Sequence, residues 1–262
     1  MAETERPSRR LRPSDRRATG QRRARPALTL DAIVARACAI LDAEGIDALT
    51  LRRLASELGV GVASMYWHVD DKDELLRLCY QATTEPLTRE LLARPMDPAD
   101  WRAGLRDLLS SLFKQFNMHP WIGTLMEGPL GQDTVVLRVW DRIGGTLDAL
   151  GLDPRLVFHA SSLLMAHLGA MAAFAARAAY GTDGRLSREE RLAQQAAVLA
   201  ALDPATYPYV PRSVSTFQSH NEEDQFLGGL DIILDGIETH LVRPAAKRQG
   251  SIPVRGSRDV RQ

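Results

Sequence analysis

Between residues 50 and 72 lies the chain's densest set of side chains able to grip an anion: Thr50, Arg52, Arg53, Ser64, Tyr66, Trp67, His68 and Lys72. They fall on two short helical patterns joined at Gly59-Val60-Gly61. The first turns Leu54, Ala55 and Leu58 inward at helical intervals of three and four, with Thr50 where an N-cap belongs and Gly59 where a left-handed residue stops a helix. The second, Val62 to His68, turns Met65 and Val69 inward and leaves Ser64, Tyr66, Trp67 and His68 outside. A tryptophan beside a tyrosine on the open side of so short a helix wastes apolar surface unless that face meets a partner. Arg52, Arg53 and Lys72 flank it, and a phosphate backbone fits such a rim. From periodicity alone, two readings stand: a helix-turn-helix DNA reader or a plain helical hairpin.

Other chemistry finds little support. Ser161 and Ser162, near His159 and His167, have nucleophile and base residue types, but the G-x-S-x-G elbow that exposes a serine is missing, as are HExxH and glycine-rich phosphate loops. The expectation is that the chain is not an enzyme. Cys38 and Cys79 sit in apolar helical surroundings and form no CxxC pair, so packing is their expected role and neither a disulfide framework nor a metal site is indicated. No cofactor is expected.

The elements that must position the residues are helical throughout, with no strand alternation. Residues 1–27 hold nine arginines against Glu3, Glu5 and Asp15, have no hydrophobic period and read as a disordered arm. A twin-arginine look at Ser8-Arg9-Arg10-Leu11 lacks the apolar stretch a secretion signal needs, and no segment reads as a membrane span, so the expectation is a cytoplasmic protein with no membrane partner. Helix 1 is expected over about Thr29 to Glu44, ended by Gly45, and helix 4 from Asp70, with a kink or break near Thr84 forced by Pro86. The DNA-binding domain spans 28–80. Residues 81–243 form a second, larger helical domain with stripes over Trp101 to Phe116, Val135 to Leu147 and Glu189 to Leu202, a nearly apolar helix over Pro154 to Tyr180, and a last helix over about Glu222 to Val242. Residues 244–262, with five basic residues against Asp259, read as a disordered basic tail.

Residues 28–80, from LTLDAIVARACAILDAEGIDALTLRRLASELGV through SMYWHVDDKDELL, resemble the DNA-binding domain of the tetracycline repressor (TetR) family, whose founding repressor reads LYWHV where this chain reads MYWHV. The late segment FLGGLDIILDGIETHL resembles the closing helix of the same family. The resemblance implies an all-α fold, a three-helix helix-turn-helix head on a larger ligand-binding and dimerisation domain, and a repressor released from operator DNA by a small molecule. A regulator or activator answering to a protein partner is the alternative. By position, Arg52 matches a base-reading residue able to bond guanine twice. Val62, Ala63 and Ser64 open the recognition helix, with apolar contact to thymine methyl groups, and Thr50, Tyr66, Trp67, His68 and Lys72 match phosphate-contacting or positioning residues. Partial burial against helix 1 is the other reading of Tyr66. Arg22, Arg23 and Arg25 of the arm either enter the minor groove or belong to a solvated tail.

The resemblance also implies a homodimer, as does the need for two half-sites about one helical turn apart. Leu230, Ile233, Leu234, Ile237 and Leu241 are its expected interface. The candidate ligand lining is Trp101, Phe113, Trp121, Met126, Trp140, Phe158, His167, Met171 and Phe174, any of which can instead be core. Met126 falls where the founding repressor has a metal-binding histidine and Thr88 where it has a drug-contacting one. A magnesium-tetracycline complex is therefore not expected, and a large, flat apolar or aromatic effector without metal is.

Overall fold

The computed structural model describes residues 28–125, 133–180 and 187–249, the side chains of 188 and 241–249 aside. Arg22, Arg23, Arg25 and Met126 lie outside the described residues, and Leu241 lies in the helical stretch whose side chains are not described. Among the described residues every regular element is a helix. The head comprises α1 (Leu30–Glu44), α2 (Leu51–Leu58) and α3 (Val62–Met65), closed by the first half of α4 (Lys72–Ala93). Thr29 caps α1 by accepting from the Ala32 N–H at 3.2 Å. Thr50 caps α2 by accepting from the Arg53 N–H at 3.1 Å.

Gly59 takes φ 68°, and the Val60 N–H returns to the Ala55 carbonyl at 2.9 Å, which ends α2 and turns the chain into α3. Ile33, Ala37, Ile40, Leu41, Leu54, Ala55, Met65, Val69 and Leu75 close the head's core. The recognition helix is shorter than its pattern suggests: α3 is one turn, and Tyr66 to His68 continue as turns held by the His68 and Val69 N–H groups on the Met65 carbonyl. Burying Met65 and Val69 satisfies the core, and nothing asks the residues between them for a regular helix.

Helix α4 begins at Lys72, not Asp70, because the Asp71 side chain caps it by accepting from the Glu74 N–H at 2.8 Å. It runs unbroken to Ala93 across Pro86. The break expected near Thr84 therefore does not occur, and the boundary expected at residue 80 falls inside one helix. Burial explains this: Leu75, Leu76 and Cys79 anchor its first half in the head, and Thr84, Thr88 and Leu91 its second half in the body. Lost propensity at one proline is outweighed by packing on both sides.

The body adds α5 (Trp101–Met118), α6 (Trp121–Leu125), α7 (Thr134–Asp148), α8 (Pro154–Tyr180), α9 (Arg188–Ala200), α10 (Val214–Ser219) and α11 (Glu222–Gln249). The short helices α6 and α10 have too few residues for a readable period. Helix α11 continues to Gln249, so the tail expected from 244 begins as helix; its Ala-Ala-Lys-Arg-Gln run consists of good helix formers. Helix α8 is the hub, packed against α5, α6, α7 and α11. With 27 residues and a window of mean hydropathy 1.5, it is long and apolar enough to cross a membrane, contrary to the expectation that no segment is. Its composition reflects neighbours on several sides.

Against α8, helix α6 has no room for a side chain at Gly123: a Cβ there would overlap the Ala172 carbonyl. Gly123→Ala should destabilise the body by about 1 to 3 kcal/mol, as overpacking does, read from chemical denaturation. Unchanged stability would mean the two backbones are not in contact.

Candidate nucleic-acid interface and effector cavity

Head electrostatics separate two adjacent arginines. Arg53 is taken up inside the protein: its Nη1 donates to Glu44 Oε2 and its Nε to Glu57 Oε1, both at 2.9 Å. The Arg53 guanidinium holds both carboxyls below the usual carboxylate range, and Arg36 adds to this at Glu57. Arg53 is therefore a brace between α1 and α2 and not the phosphate contact its sequence position suggests. Arg52 is exposed and has no carboxylate partner among the described residues. One residue of helical rotation decides which arginine is available.

Beside Arg52, the turn after α2 presents Val62, Ala63, Ser64, Tyr66 and Trp67, all exposed, while His68 is half-buried. Trp67 is 88% exposed and Tyr66 58%, so more than half of the Tyr66 side chain faces outward. Lys72 is fixed at the edge of this surface, its Nζ donating to the Ile46 carbonyl at 2.8 Å and keeping two further protons to donate. Thr50 uses its oxygen as a cap and keeps its hydroxyl proton. The result is one continuous face of donors and apolar tips with no acidic side chain bonded to Arg52.

The head is tied to the body at a second place, through α1. Asp42 Oδ1 accepts from Trp121 Nε1 at 2.7 Å and lies 2.8 Å from His119 Nδ1, and the Tyr180 hydroxyl donates to the Leu41 carbonyl at 3.1 Å. Trp121, expected as ligand lining, is this tie. Nothing in sequence separates Asp42 from the other exposed acids of an amphipathic helix.

A small cavity of about 40 Å³ lies between α4, α5, α7 and α8. Its apolar wall includes Leu112, Phe116, Val135, Val139, Met165 and Leu168; α4 supplies Tyr80, Thr84 and Thr88. Thr84 Oγ1 donates to the Tyr80 carbonyl at 2.8 Å. Burial raises the Tyr80 phenol above its ordinary value, with Asp133 adding to the shift, so it stays neutral. Thr88 is 0% exposed and its hydroxyl has no partner among the described residues. An unpaired buried hydroxyl costs about 1 to 3 kcal/mol, a debt that an incoming acceptor would remove.

None of the expected lining residues that the structure describes borders this cavity. Trp101, Phe113 and Met171 are core, with Phe113 stacked on Phe226 at 4.2 Å between ring centroids. His167 is half-buried and stacks on Phe226 at 5.0 Å, with Nε2 2.9 Å from the Phe226 carbonyl oxygen, so its ring is already engaged by the fold. Trp140 donates to Ser161 Oγ at 3.0 Å beside Phe158, toward the surface. Phe174 lies on the outer side of α8, at an open groove shared with Tyr209, Arg212, Phe217 and His220. Large aromatics fill space; the cavity is lined by what is left. Thr88 was the one position singled out by resemblance that lies on it. Among the described residues no three metal-binding side chains cluster.

The expected interface also needs correction. Leu230, Leu234 and Ile237 are buried inside their own subunit and Ile233 is half-buried, because this side of α11 packs on α5 and α8. Arg106–Asp231 at 2.9 Å and Arg102–Asp235 at 2.6 Å fix that orientation. The outward side carries Gly228, Ile232 and Gly236, with Ile232 73% exposed. Next to it, α8 exposes Leu163, Ala166, Ala170 and Phe174 in one row.

A helix-turn-helix head joined by a shared helix to a helical body with an internal cavity defines a helix-turn-helix regulator with a separate sensory domain. Comparison with known proteins gives the family. Residues 27–79 match "Bacterial regulatory proteins, tetR family" and residues 94–241 match "Tetracyclin repressor-like, C-terminal domain". The HTH-type transcriptional repressor DrrR1 of Streptomyces coeruleorubidus is 32% identical over 252 residues, covering 90% of this chain and 86% of that one. The Tetracycline repressor protein class D of Escherichia coli is 26% identical over 221 residues, 82% of this chain and 91% of that one. The Streptomyces coelicolor TetR family protein ActR, solved in complex with actinorhodin, superimposes with TM-score 0.67 at 28% identity over 83% of this chain and 100% of that one. The chain belongs to the TetR family: it is a DNA-binding transcriptional regulator and not an enzyme.

The outward row on α8 and α11 should be where subunits meet. Ile232→Asp should yield a folded monomer at micromolar concentration by sedimentation, whereas Leu230→Asp, which buries an unpaired charge, should unfold the body. A dimer surviving Ile232→Asp would exclude this face.

Proposed function

We propose that this protein is a dimeric repressor that leaves its operator when a small apolar or aromatic molecule enters the α4–α5–α7–α8 cavity. The observation that carries the reading is the cavity wall: α4 lines it with the unpartnered Thr88 hydroxyl and also ends at Lys72, beside the DNA-facing surface. A drug-sized ligand needs roughly 300 Å³ or more, so it can enter this space only by moving α4 and α7 apart. Gln81 Nε2 to Asp133 Oδ2 at 2.8 Å and the Glu85–Arg138 ion pair hold those helices together and would have to yield. A shift of α4 changes the placement of both heads of the dimer. That its relative DrrR1 is a transcriptional repressor supports repression, and the actinorhodin complex of ActR supports a small organic effector. Among the described residues the lining offers apolar contact and hydroxyls, which suit an apolar or aromatic effector. Operator DNA is the macromolecular partner, the cytoplasm the place of work, and no membrane is needed.

Arg52 is the main base reader of each head. Arg52→Ala should cost about 1 to 3 kcal/mol at one base position of each half-site and relax preference there, while Lys72→Ala weakens all sequences alike. The check is selection of DNA from a random pool; an unchanged base preference in Arg52→Ala would remove it from that role.

Induction is tested by titrating flat aromatic compounds, followed by intrinsic fluorescence, with and without the selected DNA and with EDTA as control. Linkage requires DNA to weaken the ligand by the factor by which the ligand weakens DNA, typically about 5- to 150-fold. Thr88→Val should lower affinity for ligands that present an acceptor while raising stability of the free protein. Equal ligand affinity with and without DNA would refute the mechanism, and loss of binding in EDTA would refute the metal-free site.

A further inference from the structure

Cys38 and Cys79 are the chain's two cysteines, and the fold brings them together where α1 packs on α4. Cys38 Sγ lies 3.9 Å from the Cys79 carbonyl oxygen and 3.8 Å from Thr83 Oγ1, and Cys79 Sγ lies 3.8 Å from the Val34 carbonyl oxygen. Their surroundings differ. Cys79 is fully buried, whereas Cys38 is half-buried and borders an open groove of about 630 Å³ between α1 and α4, floored by Val34, Leu78, Gln81 and Pro86. The neighbouring Cys79 pushes the Cys38 thiol below its ordinary value, and the neighbouring Cys38, with burial, pushes the Cys79 thiol far above its own. One sulfur is reachable from the groove; the other is sealed. Reactive cysteines differ from inert packing cysteines in this combination of access and thiolate character.

We propose that Cys38 and Cys79 are an oxidant-responsive pair in which a peroxide, reaching Cys38 through the α1–α4 groove, drives a disulfide that pins α1 to α4 and weakens DNA binding. Cys38 thiolate attacks one peroxide oxygen, the O–O bond breaks, and the sulfur is oxidised to sulfenic acid as the departing hydroxide takes up a proton. Cys79 sulfur then attacks the Cys38 sulfur, the S–O bond breaks, and the Cys79 proton leaves with the hydroxyl as water. Two thiols and one hydrogen peroxide give one disulfide and two waters. Disulfides of this kind in a reducing compartment are transient and sensory. Closing the bond requires the two sulfurs to sit at about 2.05 Å, which locks α1 against α4 at this point. Those two helices carry α2 and α3, so the Arg52 and Trp67 face is displaced. This input is separate from the effector cavity and rests only on the family's DNA binding.

The test uses the full-length protein and DNA selected by its reduced form. After graded hydrogen peroxide and removal with catalase, alkylation under denaturing conditions and intact mass should show loss of two hydrogens within one chain and protection of both thiols. DNA affinity should fall about tenfold, within the usual range of coupling between sites, and return with dithiothreitol. Cys79→Ser should leave Cys38 trappable by dimedone with no disulfide, and Cys38→Ser or Cys38→Ala should abolish the response while binding DNA as reduced wild type does. Both thiols remaining alkylatable, a bond formed only between chains, or a closed disulfide with unchanged DNA affinity would each overturn the proposal.

Discussion

Helix α4 belongs to two hydrophobic cores at once, and the rest of the molecule is arranged around that sharing. Its 22 residues span roughly 33 Å at 1.5 Å per residue. Leu75 and Leu76 cannot leave the head core, and Leu91 cannot leave the body core, without exposing apolar surface worth about 1.5 to 3 kcal/mol per side chain. The rod must therefore carry motion between the two. Pro86, which removes the hydrogen bond that would close on the Ala82 carbonyl, sits between the two anchored halves and is the place where the rod can flex without sacrificing either core.

A single strut would let the head swivel. The Asp42, Trp121 and His119 contact and the Tyr180 bond to the Leu41 carbonyl hold α1 to the body as well, so the head is attached at two points. With α1 held, displacement of α4 becomes rotation of the head and not translation of the whole unit. The thiol pair lies between these two attachments, on the α1–α4 seam where head geometry is most sensitive to small relative shifts.

How much of this could be read from sequence depended on whether one local interaction decided the matter. Caps at Thr29 and Thr50, the glycine turn at Gly59 and the apolar run from Pro154 to Tyr180 are fixed within a few residues, and the head and α8 were legible for that reason. The outward row of α11 was not. Phe226, Leu230, Leu234 and Ile237 are the stronger apolar pattern, and a core claims the stronger pattern first; Ile232 and two glycines left outside carry little hydrophobic signal of their own. The cavity was misread for a related reason. Aromatic residues such as Phe113 and Trp121 attract attention as ligand contacts, yet their volume is what excludes a cavity from where they sit. The unpaired hydroxyl of Thr88 emerges only when four helices are in place, and the encounter of Cys38 with Cys79 depends on a long-range pairing of α1 with α4 that spacing does not encode.

The smallness of the cavity has a consequence for regulation. A pre-formed pocket of ligand size could bind an effector equally well in both head arrangements, and equal affinity shifts no equilibrium however tight the binding. A space of about 40 Å³ cannot do that. Every molecule larger than a few atoms must first separate α4 from α7, and the Glu85–Arg138 and Gln81–Asp133 contacts oppose the separation. Under the mechanism we propose, binding and displacement of α4 are one event, so the difference in affinity between the two states is built into the packing. Because the same contacts resist opening in the absence of effector, the proposal also makes them the threshold that a weakly bound metabolite fails to cross.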